Sequence, residues 1–146
     1  MTLQCGGRSG ARAVLKKYAA RLIALGAAMT MAACATISPD APSDAKQAAV
    51  KKRVEARWAA LIKGDAASAY KLLSPASKAV VSERDFSGRM RRTFTGVEIE
   101  SIDCAAESCD VKIFITYDTT PIKGIRTPAR ETWVLDKGDY WYVWPN

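Results

Sequence analysis

In the stretch Val111-Lys112-Ile113-Phe114-Ile115-Thr116-Tyr117-Asp118, the odd-numbered residues are all apolar or aromatic, and the even-numbered ones are polar except for Phe114. Successive residues of a strand point to opposite faces, so every second residue from Val111 to Tyr117 shares one side. This period of two predicts a strand at 109–118. The same pattern predicts strands near 97–104, 129–136 and 140–145. Lys137-Gly138-Asp139 is predicted to be the short connection of the last hairpin.

Before Gly96 the apolar residues recur with the period of a helix instead. Asp44 is predicted to cap a helix over 45–63, and Gly64 to end it. The apolar face of this helix contains Val50, Val54, Trp58, Leu61 and Ile62. Asp65 and Ser82 are predicted to cap two further, shorter helices. Helices followed by a run of strands indicate an α+β domain, with helices on one side of an antiparallel sheet of about four strands.

Two stretches of this domain resemble a known family. Trp58-Ala59-Ala60-Leu61-Ile62-Lys63-Gly64-Asp65, followed by Ala69-Tyr70-Lys71-Leu72-Leu73-Ser74-Pro75, resembles the opening of nuclear transport factor 2-like domains. Glu131-Thr132-Trp133-Val134-Leu135 and Gly138-Asp139-Tyr140-Trp141-Tyr142-Val143 resemble their closing hairpin. The resemblance covers most of 46–145 and implies a strongly curved, cone-like sheet wrapped around the N-terminal helix.

The first 33 residues have the order of a bacterial lipoprotein signal. Five basic residues precede an apolar run from Leu22, which ends in Met31-Ala32-Ala33 directly before Cys34. This order is typical of an export signal, and the cysteine after small residues resembles a lipobox. The resemblance implies cleavage before Cys34 and a lipid on its thiol. A plain secretory signal cut elsewhere is the alternative, and translation starting near Val14 or Leu15 is a further possibility.

We therefore expect a signal peptide at 1–33, a lipidated, proline-containing tether at 34–44 and a nuclear transport factor 2-like domain at 45–146. The lipid would hold the domain on a membrane of the cell envelope. Ala35, which is not the Asp that retains lipoproteins at the inner membrane, suggests the outer membrane, on the periplasmic side. This localisation is drawn by analogy from the signal alone.

Charge argues against a nucleic-acid partner. The whole chain carries a net charge of +7, but five of its 22 basic residues and none of its 15 acids precede Cys34. The chain from Cys34 onward is left with 17 basic and 15 acidic residues, a net charge of +2. Such a balance gives no basic field for nucleic acid.

The cysteine and histidine inventory limits the chemistry. Cys104 and Cys109 flank a four-residue loop between two strands, where they are predicted to form a disulfide in an exported protein. The chain contains no histidine, which removes the usual acid–base group and the commonest metal ligand. No metal and no organic cofactor are therefore expected.

The aromatic residues predict two surfaces, each with a plainer alternative. One is a pocket for an apolar ligand, or equally an ordinary core, formed by Trp58, Tyr70, Phe86, Met90, Tyr117, Trp133 and Trp141. The other is an outward-facing patch that would bind a second copy of the chain or an envelope partner. It is formed by Phe114, Tyr140, Tyr142 and Trp144, together with Val134. Arg84, Arg89, Arg91 and Arg92 gather near the third helix and are expected to form a solvated face.

The sequence favours a non-catalytic binding or interaction domain on a membrane anchor. The alternatives are a binder of small apolar ligands in the cone cavity, or an isomerase or dehydratase of the same fold. Enzymes of the resembled family, such as ketosteroid isomerases, use a cavity carboxylate as base. Asp103, Asp118 and Glu131 are the strand carboxylates available for that role, and each is expected to point to solvent.

Overall fold

The computed structural model of the protein describes residues 36–145. Four helices come first: α1 (Ser43–Ile62), α2 (Ala66–Lys71), α3 (Pro75–Val80) and α4 (Glu83–Arg89). Four strands follow: β1 (Thr93–Cys104), β2 (Ser108–Asp118), β3 (Ile125–Asp136) and β4 (Asp139–Val143). The predicted α+β class is confirmed. The predicted signal peptide and Cys34 lie outside the described residues.

The strands form one antiparallel sheet in the order β1-β2-β3-β4. The register of β1 against β2 shifts between Phe94 and Gly96 and again between Ile99 and Ser101. Such bulges bend a strand and increase its twist, so they curve the sheet on the side of β1. The inner face of the sheet packs on α1 through Val111, Ile113 and Trp133, which are all buried.

Helix α1 presents the predicted apolar face to the sheet. Val50, Val54, Trp58 and Leu61 are buried, whereas Ile62 is exposed. The helix begins at Ser43, directly after Pro42, and no side chain caps it. Asp44 therefore lies in the first turn and does not cap the helix as predicted. Its charge there still favours the positive end of the helix dipole.

The N-caps predicted for the short helices α2 and α4 are both present. Asp65 accepts a hydrogen bond from the backbone N–H of Ser68 at 3.0 Å, and Ser82 accepts one from Asp85 at 3.1 Å. Gly64, with a φ of +77°, ends α1 in a conformation that side chains other than glycine rarely adopt. These local signals fix where α2 and α4 begin.

The free edge of β4 is covered by the segment between α2 and α3. The backbone N–H of Tyr142 donates to the carbonyl of Leu72 at 2.9 Å, and Ser74 donates to the carbonyl of Tyr142 at 2.8 Å. Leu73 thereby pairs with Tyr142 as a short parallel bridge. Among the described strands, this leaves β1 as the uncovered edge of the sheet.

The outward orientation predicted for three aromatic residues is wrong. The β3–β4 turn consists of Lys137 and Gly138, both at positive φ, and it pairs Trp133 with Tyr142 and Leu135 with Tyr140. Paired residues share a face, so both tyrosines lie on the inner face and are buried. The third residue, Trp144, also packs inward, with its ring centroid 5.2 Å from that of Phe86.

Correspondingly, Trp141 does not lie on the inner face as predicted, although Arg53 of α1 and Lys78 of α3 reach over its ring, at 4.3 Å and 5.4 Å from the centroid. It pairs with Val134 on the outer face, where Phe114 also lies with the Arg126 guanidinium 3.5 Å from its ring centroid. All three outer-face residues are half-buried. The predicted patch is thus replaced by a smaller one, and whether it mediates dimerisation stays a prediction.

The described end of the predicted tether is docked on the domain. The backbone N–H of Ile37 donates to the carbonyl of Gly138 at 2.9 Å. The buried side chain of Lys46 donates to the carbonyls of Pro39, Ala105 and Ala106. One ammonium group thereby joins α1, the N-terminal segment and the β1–β2 loop. Across residues 36–145, no helix is both long enough and apolar enough to cross a membrane.

Candidate functional site

A buried ion pair joins α1 to the centre of the sheet. Arg57 follows Val50 by seven residues and Val54 by three, so it lies on the buried face of the helix. Glu131 precedes Trp133 by two residues and shares the inner face of β3. The Arg57 Nη1 and Glu131 Oε1 atoms are 2.6 Å apart, and the two side chains are only 2% and 3% exposed.

The carboxylate of Glu131 accepts hydrogen bonds from three donors. Its Oε1 atom accepts from Arg57 and from the indole N–H of Trp58 at 2.9 Å. Its Oε2 atom accepts from the indole N–H of Trp133 at 3.0 Å. A buried carboxylate needs such donors to offset the loss of water. The indole groups thus hold the charge in place from both sides.

Tyr142 lies against the same pair. The guanidinium carbon of Arg57 is 3.9 Å from the centroid of the Tyr142 ring, in a cation–π arrangement. Burial raises the pKa of Tyr142 from its ordinary 10.0 to about 12, because the phenolate would lose its hydration. The charge of Glu131 raises this pKa further, whereas that of Arg57 lowers it.

A cavity of about 270 Å³ opens beside the ion pair, between α1, the end of α4 and the inner face of the sheet. Its apolar wall comprises Trp58, Met90, Phe94, Ile115, Ala129 and the ring of Tyr142. Glu131 is the only acid in this lining, against Arg57, Arg89, Arg92 and Arg130. Arg130 lies on the opposite face of β3, because successive residues of a strand point to opposite faces. The arginine side chains on the side of the cavity are therefore those of Arg57, Arg89 and Arg92.

The three arginines differ in exposure. Arg89 and Arg92 are exposed at the edge of the cavity, with their guanidinium carbons 5.8 Å from the Trp144 centroid and 5.1 Å from the Tyr117 centroid. Arg57 is buried, and its Nε atom has no hydrogen-bond partner among the described residues. The cavity is therefore apolar along its walls and positively charged in its polar groups.

The predicted pocket residues divide between this cavity and the core. Trp58 and Met90 line the cavity, whereas Trp133 is fully buried behind Glu131. Phe86 is buried too and stacks with Tyr70 at 5.7 Å. The remaining members are separate, since Tyr117 is half-buried beneath Arg92 and Trp141 is on the outer face. Of the predicted set, two residues form cavity wall.

The predicted orientation of Glu131 towards solvent is wrong, because this residue is only 4% exposed. Asp103 is exposed as expected, and Asp118 is half-buried and accepts the backbone N–H of Gly124 at 2.8 Å. The sequence signal for burial of Glu131 is its position two residues before Trp133, which places both residues on one face of β3. The corresponding signal for Arg57 is its position three residues after Val54, on the buried face of α1.

The Cys104–Cys109 disulfide is present, as predicted. The two cysteines are opposite each other at the end of β1 and β2, with their Cα atoms 4.0 Å apart. This site lies at the other end of β1 from Phe94 of the cavity wall. Within residues 36–145, no three side chains of His, Cys, Asp or Glu are grouped as a metal site would require. That the domain needs no cofactor stays a prediction.

Comparison with known proteins bears on the fold. No protein-family model matches the chain, and no curated protein matches it either. The chain is similar to the solution structure of a SEC-C motif containing protein from Rhodopseudomonas palustris, with a TM-score of 0.59 at 11% identity. That alignment covers 67% of this chain and 77% of the other. At this identity the likeness supports the fold alone.

A second similar structure is the crystal structure of a Campylobacter jejuni protein described as an NTF2-like transpeptidase. It aligns with a TM-score of 0.48 at 10% identity, over 66% of this chain and 98% of that one. A likeness at this score carries no argument about the activity of the present chain.

Proposed function

We propose that the protein is a bacterial envelope lipoprotein whose domain is a non-catalytic, nuclear transport factor 2-like binding domain. The motifs that run from Trp58 to Pro75 and from Glu131 to Val143 support the family assignment. So does the order of a long N-terminal helix, short helices and a bulged antiparallel sheet. The basic, apolar and small residues that precede Cys34 in turn support the anchor.

The state of Glu131 carries the non-catalytic assignment. A general base must bring a free lone pair within hydrogen-bonding distance of the proton that it removes. Glu131 is the only carboxylate that lines the cavity; it accepts from Arg57, Trp58 and Trp133, and its side chain is only 3% exposed, which leaves little of it open to a substrate. Its hydrogen bonds are those of a structural anion. An isomerase or dehydratase mechanism is therefore not favoured.

Between binding a protein partner and binding a small ligand, the cavity favours the small ligand. Ligand sites are concave and largely apolar, with a few fixed polar groups. The cavity beside Arg57 has this composition. The outer face offers Phe114, Val134 and Trp141, all half-buried, and is the second candidate, for a homodimer or an envelope partner.

The anchor is tested on the full chain expressed in a Gram-negative host. We expect the mature protein to begin at Cys34, to carry a diacylglyceryl group by intact-mass analysis and to sediment with outer membranes. The Cys34→Ala variant should lose the lipid and leave that fraction. Cys5→Ala is the matched control and should change nothing. A soluble mature form that begins elsewhere would rule the anchor out.

A further inference from the structure

We infer that the cavity binds a small carboxylate with an apolar body, and that Arg89 and Arg92 at its edge select for its negative charge. The inference rests on the binding role proposed above and specifies its ligand class. Two independent features support it: the charge of the lining, and the size and walls of the cavity.

The lining carries an excess of positive charge. The ion pair leaves Glu131 and Arg57 neutral as a unit. Arg89 and Arg92 remain, and neither forms a salt bridge within residues 36–145. A concave site lined by one sign of charge concentrates the field and attracts ligands of opposite sign. An anionic ligand is therefore favoured over a neutral or cationic one.

The walls and the volume set the rest of the ligand. Trp58, Met90, Phe94 and Ile115 give apolar contact area around the cavity, which favours an aromatic or aliphatic body. The volume of about 270 Å³ is just below the roughly 300–1,000 Å³ of sites for drug-sized ligands. The ligand should therefore be small, with one or two rings or a short chain.

The test compares 2-naphthoate with its neutral isostere 2-naphthamide, using the full lipidated chain in nanodiscs and its ¹⁵N-labelled indole signals. Trp58 lines the cavity and Trp141 lies on the outer face, so the second signal is an internal control. We expect naphthoate to shift the Trp58 signal and to leave that of Trp141 in place. Naphthamide should bind at least about tenfold more weakly, as expected from losing a hydrogen bond to a charged group.

Variants then locate the charge selection without disturbing the ion pair. Arg89→Gln combined with Arg92→Gln removes two exposed charges and should weaken naphthoate binding about three- to tenfold. Arg126→Gln is the matched control, since Arg126 is exposed and paired with Glu98 away from the cavity. It should bind naphthoate as the wild type does.

Three results would overturn the inference. Equal binding of naphthoate and naphthamide would leave a ligand-binding role but remove the selection for a carboxylate. A loss in Arg126→Gln as large as in the double variant would show unspecific attraction by surface charge. No shift of the Trp58 signal by either probe at millimolar concentration would exclude the cavity as their site. None of these results affects the separate test of the lipid anchor.

Discussion

The guanidinium of Arg57 and the carboxylate of Glu131 meet at 2.6 Å across the core, although 74 residues separate them in sequence. Both side chains are almost completely buried. The attraction within such a pair is largely offset by the cost of removing two charges from water. Its two halves are therefore interdependent, because either one alone would be an uncompensated charge in the interior.

Removing one partner should be far more damaging than removing both. We expect Arg57→Met or Glu131→Gln alone to lower the free energy of unfolding by about 3–5 kcal/mol. The double variant should recover much of that loss. Urea denaturation measures all three. Arg126→Gln with Glu98→Gln forms the control, because this exposed pair should contribute less than about 1 kcal/mol. Additive losses at the buried pair would contradict the expectation.

Stability at high pH should depend on Tyr142. Its pKa is raised to about 12 in the folded protein against 10.0 ordinarily, mainly through burial. The unfolded chain therefore loses this proton first. The free energy of unfolding should fall as pH rises through the window from 10 to 12, and no loss from this group is expected below pH 10. Two units correspond to roughly 2–3 kcal/mol.

Tyr142→Phe should remove this part of the alkaline decline. Denaturation midpoints at pH 9, 10 and 11 would measure it, together with tyrosinate absorbance at 295 nm in the wild type. The phenylalanine variant should be compared by the slope of stability against pH, since its stability at neutral pH can differ for other reasons. An unchanged slope would show that the Tyr142 hydroxyl does not control it.

Gly138 should tolerate substitution less well than Gly124. Both have positive φ, +83° and +66°, so alanine at either is strained by roughly 1–2 kcal/mol. A Cβ at Gly138 would also lie 2.7 Å from the Cβ of Thr36, whereas one at Gly124 would meet nothing within 4 Å. Thermal melts should rank Gly138→Ala below Gly124→Ala. Adding Thr36→Gly to Gly138→Ala should recover the additional loss of stability. No recovery would show that the N-terminal segment is not docked there.

The disulfide should stabilise the domain modestly. Cys104 and Cys109 close a loop of only a few residues, so the chain-entropy contribution is about 2 kcal/mol. We expect Cys104→Ser with Cys109→Ser to lose about that much. A reductant should produce the same loss in the wild type and none in the variant. A reductant effect on the variant would point to another cause.

Local signals in the sequence predict much of this fold. The caps at Asp65 and Ser82, the glycine that ends α1 and the alternation along β2 each depend on residues close in sequence. Cys104 and Cys109 belong to the same class, because the short loop between them fixes their pairing. Features of this kind can be read from a short window of sequence.

The face of β4 was also predictable, but from loop length and not from alternation. The two-residue turn of Lys137 and Gly138 pairs Asp136 with Asp139. Across such a turn, odd-numbered residues of β3 pair with even-numbered residues of β4. Trp133 and Trp141, both odd-numbered, therefore lie on opposite faces.

The ion pair could not be predicted from either half alone. Arg57 and Glu131 each have the phase of a buried residue, but charged side chains in that phase are usually exposed at the margin of the apolar face. Burial became favourable only because the other charge and the indole donors of Trp58 and Trp133 are present. That information spans α1 and β3 and is absent from any local window.

The pairing of Leu73 with Tyr142 has a consequence for how the protein behaves when concentrated. It occupies the backbone groups of β4 that would otherwise recruit a strand from another molecule. At the opposite edge, β1 is interrupted by two bulges and carries exposed carboxylates at Glu98, Glu100 and Asp103. Both edges are thus poor templates for β-aggregation, and any self-association of the domain should involve faces and not edges.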